Sequence, residues 1–135
     1  MELRFNTKVN AVDSCILLRC IERDIPEQFE RIAKMLLNGH DFYVDDVAIM
    51  ETVHVLTKAG RSRKVIANNI RDLLRNPVFV WDGEFFLPVF RDYVEHPSLS
   101  FDDLVLAGRT EQKGYAVLWT LDKKLASQCE VARLV

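Results

Sequence analysis

The chain lacks several features that would assign it at once to a membrane, secreted or repeat protein. Its 135 residues contain apolar runs of only a few residues, far short of the roughly 20 that a membrane-spanning helix needs. The start, MELRFNTK, has no long apolar stretch, so we expect no secretory signal. Without repeats, low-complexity segments or linkers, we expect a single domain over residues 1–135, with residues 1–8 as a loosely ordered extension.

Paired cysteines and an excess of basic charge are also missing. Cys15, Cys20 and Cys129 are an odd number without the spacing of a metal site, so we expect a reduced, cytoplasmic protein. The 18 basic and 20 acidic residues give a net charge of −2, which disfavours a general nucleic-acid coat protein. If four acids were gathered in a metal pocket, the remaining surface could still contact a phosphate backbone.

Short apolar runs alternate with amphipathic segments along the whole chain. Five runs are typical of short strands: VNAVD, DFYV, VFVW, AVLWT and VARLV. The segments between them have helical periodicity. This alternation predicts an α/β fold with a mainly parallel sheet of four to five strands and helices on both faces. In such folds the functional crevice lies beyond the carboxyl ends of the strands.

Several helix ends have recognisable signals. Pro26 is expected to open a helix whose apolar stripe includes Leu37 and which ends at Gly39. Asp45 is expected to cap the next helix. Pro88 either bends a later helix or marks its late start.

Three aspartates follow strands or begin helices. Asp13 follows the first strand, Asp122 follows AVLWT, and Asp103 lies in the first turn of a helix. Because the carboxyl ends of parallel strands share one rim of a sheet, we expect these three carboxylates to meet there.

A fourth acid, Glu51, lies inside a helix. Its neighbours at helical spacing are Val47, Ala48 and Val55. An acid within an apolar stripe is costly unless it is neutralised, and that stripe contains no arginine or lysine. A metal ion would neutralise Glu51.

Each acid also has a purely structural interpretation. Asp13 and Asp122 fit helix N-caps, and Ser100 with Asp103 fits a capping box in which Asp103 reaches back to the backbone. Glu51 could pair with a basic side chain from another element. Agreement among four weak signals favours one pocket for Mg²⁺ or Mn²⁺, which prefer oxygen ligands. Metal-assisted hydrolysis of a phosphodiester is the resulting hypothesis.

The same segments resemble those of a known family. VDSCILLR resembles the opening of PIN-domain ribonucleases, METVHVL their helix with a glutamate, SFDDLVLAG their aromatic-x-aspartate segment, and VLWTLDKKLA their closing strand, aspartate and helix. The ordered set extends from residue 9 to the C-terminus. The resemblance implies a three-layer PIN-like fold.

The resemblance also implies which residues form the site. The metal-binding and catalytic acids would be Asp13, Glu51, Asp103 and Asp122. In the family motif the acid lies two residues after the aromatic residue, which selects Asp103, while Asp102 is a first-turn residue that the helix dipole stabilises. Ser14 and Thr120 would orient a ligand or water. Cys15 departs from the pattern, since many members have asparagine there.

A short PIN-like chain is most similar to the VapC-type toxins of bacterial toxin–antitoxin pairs. That similarity implies endonucleolytic cleavage of RNA with one or two Mg²⁺ or Mn²⁺ ions, a homodimer, and a small antitoxin that blocks the site. Two alternatives are a non-catalytic PIN-fold module that binds RNA or protein and a housekeeping RNA-processing nuclease. A phosphoacceptor receiver domain is disfavoured, because Asp13 is a lone acid after the first strand.

Two basic clusters are candidates for RNA contact. Lys123 and Lys124 lie directly beside Asp122, and GRSRK contains Arg61, Arg63 and Lys64. The alternative for GRSRK is an ordinary solvated loop.

Overall fold

The computed structural model describes residues 10–135, which form an α/β arrangement of seven helices and five short strands. In chain order these are β1 (Asn10–Val12), α1 (Ser14–Glu22), α2 (Pro26–Leu37), β2 (Phe42–Val44), α3 (Asp46–Lys58), α4 (Arg63–Leu74), β3 (Phe79–Val80), α5 (Gly83–Glu95), α6 (Phe101–Gln112), β4 (Leu118–Thr120), α7 (Lys123–Gln128) and β5 (Ala132–Leu134). The predicted extension 1–8 and Val9 of the first predicted strand lie outside the described residues. No helix within residues 10–135 combines the length and apolarity needed to cross a membrane.

The chain divides into two compact units, one ending at Trp81 and the other spanning Asp82–Val135. The first unit contains the parallel sheet β1-β2-β3, with Asn10 opposite Phe42 and Phe42 opposite Phe79. The second contains the parallel pair β4-β5. A single domain over residues 1–135 stays a prediction.

Parallel pairing confirms one part of the predicted sheet and corrects another. Residues 10–135 form a sheet of three strands and a separate sheet of two, not one sheet of four to five strands. Each strand has only two or three residues. So few residues provide few ladder hydrogen bonds, and sequence patterns that reveal a strand do not reveal which strands pair.

Three of the four helices described in the first unit begin at a residue whose side chain caps them; α2 has no such cap. Asp45 caps α3 by accepting a hydrogen bond from the Val47 N–H at 3.0 Å, as predicted, and Ser62 caps α4. The packed core of this unit includes Leu17, Ile49, Leu56, Ile66 and Ile70. Burial of these aliphatic side chains provides the main favourable free energy of folding.

The second helix, α2, differs from its prediction at the C-terminal end. It begins at Pro26 as expected, but Asn38 rather than Gly39 caps its end. Leu37 is 84% exposed, so it does not belong to the buried stripe, whose one buried member is Ile32. The apolar periodicity of a helix can therefore continue into a last turn that is exposed to solvent.

Glycine is needed at position 39 because a side chain there would clash with a neighbour, not because it ends the helix. A Cβ at this position would lie 2.7 Å from Cζ of Phe42, whose side chain is buried and cannot swing aside. We therefore expect Gly39→Ala to lower the free energy of unfolding by about 1–3 kcal/mol, the usual cost of overpacking. Chemical denaturation would measure it. The neighbouring exposed change Asn38→Ala is the control, and equal stability of the two variants would contradict the steric argument.

Aromatic residues form the core of the second unit. Phe86 packs against Phe90 and Phe101 with ring centroids 6.3 and 6.2 Å apart, and Tyr93 meets Phe101 edge-on at 5.3 Å. Edge-on and offset contacts of this kind are the favourable ones for aromatic rings. Pro88 lies inside α5, which begins at Gly83, so the predicted late start is wrong.

Candidate functional site

Asp13 lies where β1 ends and α1 begins. Its Oδ1 accepts hydrogen bonds from the backbone N–H groups of Cys15 and Ile16 at 3.0 and 3.3 Å. These donors have no partner within the helix, which is why aspartate is favoured here. The side chain is exposed, and the two bonds hold its carboxylate in one orientation.

Ser14 connects this helix start to Glu51. Helices α1 and α3 pack against each other, and the Ser14 Oγ donates a hydrogen bond to Glu51 Oε2 at 3.3 Å. Ser14 is only 8% exposed, so its hydroxyl is held in place. The fold thus brings together Ser14 and Glu51, which lie 37 positions apart, at the helix start that Asp13 caps.

The surroundings of Glu51 correct one step of the sequence argument. Val47 and Val55, its neighbours along the helix, are 57% and 46% exposed, and Glu51 is exposed as well. The buried face of α3 consists instead of Ala48, Ile49, Thr52, Val53 and Leu56. Burial therefore does not require a cation at Glu51.

Asp122 lies after β4 and begins α7. Its Oδ1 accepts hydrogen bonds from the Lys124 and Leu125 N–H groups at 2.9 and 3.2 Å. The Thr120 Oγ1 accepts the Asp122 N–H at 2.9 Å. Asp122 is thus an N-cap, as its structural interpretation predicts, and Thr120 holds the backbone that presents it.

Asp103 occupies the first turn of α6 and is half-buried. Its N–H donates to the Ser100 Oγ at 3.1 Å. Among the described residues the reciprocal bond of a capping box, from the Asp103 carboxylate to Ser100, is not formed. The charge of this carboxylate affects Cys129. Burial of the Cys129 thiol, and after it the negative charge of Asp103, raise the pKa of Cys129 above its ordinary value.

This raised pKa predicts slow alkylation of Cys129. Only the thiolate is nucleophilic, and a raised pKa keeps the thiol protonated to more alkaline pH. Asp103→Asn removes one of the negative charges, so the pKa of Cys129 should fall and its reaction with iodoacetamide at mildly alkaline pH should become faster. Peptide mass spectrometry across a pH series would follow it. Glu95→Gln is the control, and an unchanged rate in Asp103→Asn would contradict an effect of the Asp103 charge on the Cys129 thiol.

The acids have oxygen atoms available for a hard cation. In Asp13, Glu51 and Asp122 the hydrogen bonds described above use one of the two carboxylate oxygens. Among residues 10–135 no hydrogen bond uses the other oxygen, and no lysine or arginine of the same unit forms an ion pair with these carboxylates. Such oriented oxygens are the donor type that Mg²⁺ and Mn²⁺ bind.

The basic residues proposed to contact RNA differ in whether they already have a partner within the chain. Arg61 forms an ion pair with Glu22, and Arg63 also has a partner. Lys64, Lys123 and Lys124 are exposed. Of the two predicted clusters, the lysines beside Asp122 are therefore the better placed for a phosphate backbone.

Sequence reasoning missed one group of possible metal ligands. Asp92, Glu95 and His96 each place one ligand atom within 4.8 Å of the others. Their spacing of three and four positions, at the C-terminal end of α5, would have been the sequence signal for the group. Glu95 and His96 are exposed, and such groups are common without a metal.

No protein-family model matches this chain, and no curated protein or solved structure matches it. The function of this chain is therefore inferred from its residues and from the geometry within each unit.

Proposed function

We propose that this chain is a Mg²⁺- or Mn²⁺-dependent endoribonuclease with a three-layer PIN-like fold. The observation that carries the proposal is the arrangement of Asp13, Ser14 and Glu51. Asp13 follows the parallel strand β1, and the hydroxyl of the next residue, Ser14, donates a hydrogen bond to Glu51 of a separate helix. That rim is the usual position of functional residues in α/β folds.

The metal ligands would be Asp13, Glu51, Asp103 and Asp122. The donor set fits: all four offer hard carboxylate oxygens, and three are oriented through one oxygen with the other available. When bound, the cation would supply a more acidic water and stabilise the negative charge that develops on the phosphodiester.

The chain's own residues would position these groups. The N–H groups at the start of α1 hold the Asp13 carboxylate, and the Ser14 hydroxyl restrains Glu51. Thr120 fixes the backbone before Asp122. Orientation of this kind matters because a catalytic group must be held in its productive geometry before reaction begins.

The exposed Lys123 and Lys124 would bind the RNA backbone next to Asp122, with Lys64 as a further contact. Resemblance to VapC-type toxins supports three further proposals: cytoplasmic action as a toxin, a homodimer, and inhibition by a small antitoxin.

Calorimetric titration with Mn²⁺ tests the metal site directly. We expect the wild-type chain to bind Mn²⁺ and Glu51→Gln to weaken binding by at least about tenfold, the scale of losing a residue that supports a metal site. Glu30→Gln, an exposed acid on α2, is the matched control. Absence of Mn²⁺ uptake by the wild type would reject the nuclease and favour the non-catalytic RNA- or protein-binding alternative.

A further inference from the structure

The second unit contains a cleft of about 680 Å³. We name it the α5–α6 cleft, since those helices supply most of its lining, and Cys129 and Glu130 after α7 also line it. Its volume is within the range of small-molecule and peptide side-chain pockets. The proposed ribonuclease activity does not use it.

The floor of the α5–α6 cleft is apolar. Val89 projects from α5, Leu104 and Ala107 from α6, and all three are almost fully buried. Gly108 also lines the cleft, and the Phe85 ring lies so near that a Cβ on Gly108 would be 2.9 Å from it. The two helices therefore approach closely here, and the side chains that line the floor are apolar.

The rim has the opposite character, because four carboxylates line it: Glu84, Asp92, Glu111 and Glu130. A fifth, Asp82, is paired with Arg109 at 2.9 Å and adds little net charge. Within the described chain no lysine or arginine lines the cleft. The rim is therefore strongly negative, and a concave surface concentrates such a field.

We propose that the α5–α6 cleft binds a cationic, amphipathic segment of another protein. Its leucine-like side chains would contact the floor at Leu104 and Ala107, and its arginines or lysines would face Glu84 and Glu111. RNA is a poor occupant because its phosphates would meet carboxylates. A divalent cation at Asp92 would use one end of the cleft and leave the apolar floor uncovered. The inference does not depend on the nuclease activity.

A set of synthetic peptides tests the proposal on the full chain. The probe is a short labelled peptide with arginine and leucine at helical spacing, and a second peptide replaces every leucine with serine at equal charge. We expect fluorescence anisotropy to show tighter binding of the leucine peptide. The double variant Glu84→Gln/Glu111→Gln should weaken that binding roughly tenfold, since it removes two charge contacts.

A matched double variant controls for general charge attraction. Glu27→Gln/Glu30→Gln changes two exposed acids on α2 of the first unit, with the same loss of net charge. This variant should bind the leucine peptide like the wild type, and amide NMR shifts should concentrate at Ala107 and Gly108. Equal binding of the two peptides, equal weakening by the two double variants, or shifts centred outside the cleft would each overturn the proposal.

Discussion

Replacing Asp13 with asparagine should lower the rate of RNA cleavage by roughly a hundred- to a thousandfold, the usual loss when one charge-stabilising group leaves a catalytic site. The fold should remain intact, because asparagine is as good an N-cap as aspartate. Its side-chain oxygen can still accept the two N–H bonds that start α1. The variant therefore removes the charge and keeps the geometry. Cleavage of labelled RNA in the presence of Mn²⁺ would measure the rate.

Asp45→Asn is the matched control for this experiment. Asp45 also caps a helix of the first unit through a backbone N–H bond, is also exposed, and is not a proposed ligand. We expect it to cleave RNA at the wild-type rate and to melt with a similar midpoint. If Asp13→Asn cleaved as fast as Asp45→Asn, with contaminating nucleases removed, the assignment of Asp13 would be wrong.

The largest expected effect on stability comes from Phe86→Ala. Phe86 is 0% exposed and contacts three other aromatic rings. Its truncation should lower the free energy of unfolding by about 3–5 kcal/mol, because the apolar contacts are lost and a cavity remains. That loss approaches the whole stability of many domains, about 5–15 kcal/mol. Urea denaturation followed by circular dichroism would measure it.

Leu87→Ala provides the comparison on the same helix. Leu87 is 47% exposed, so much of its surface stays in contact with water in the folded chain. We expect a change below about 1 kcal/mol, as is usual for surface substitutions. A destabilisation of similar size in both variants would mean that the aromatic cluster is not the centre of the second unit.

Helix starts were the part of this fold most open to prediction from sequence. Asp13, Asp45, Ser100 and Asp122 each precede a helix and each accepts a backbone N–H bond there. Capping is a local interaction between neighbours along the chain, so local sequence suffices to find it. The same locality explains why the first unit's helices begin where their sequences indicated.

Which face of a helix is buried was harder to predict when apolar residues surround it. In α3, valines occupy the buried face at Val53 and the exposed face at Val47 and Val55. Periodicity then selects no unique stripe, and the prediction that Glu51 lies within an apolar, buried stripe was wrong. The link from Ser14 to Glu51 depends on the packing of two helices, which no local pattern encodes.

Strand pairing and the assembly of the site are long-range properties. Short apolar runs located all five strands. Each strand, however, has only two or three residues, and its sequence does not indicate which other strand it pairs with. The residue types of the candidate site, and the places of its three aspartates at strand or helix ends, could also be predicted from the sequence. A pocket that unites Asp13, Glu51, Asp103 and Asp122 stays a prediction.

The capping role of two of these acids affects how the chain would evolve. Asp13 and Asp122 each start a helix, so selection for folding alone would retain them after any loss of activity. Glu51 starts no helix, and its exposed position tolerates many side chains. If a lineage lost the proposed nuclease activity, mutation would therefore accumulate at position 51 before positions 13 and 122, and intact aspartates there would be poor evidence of activity.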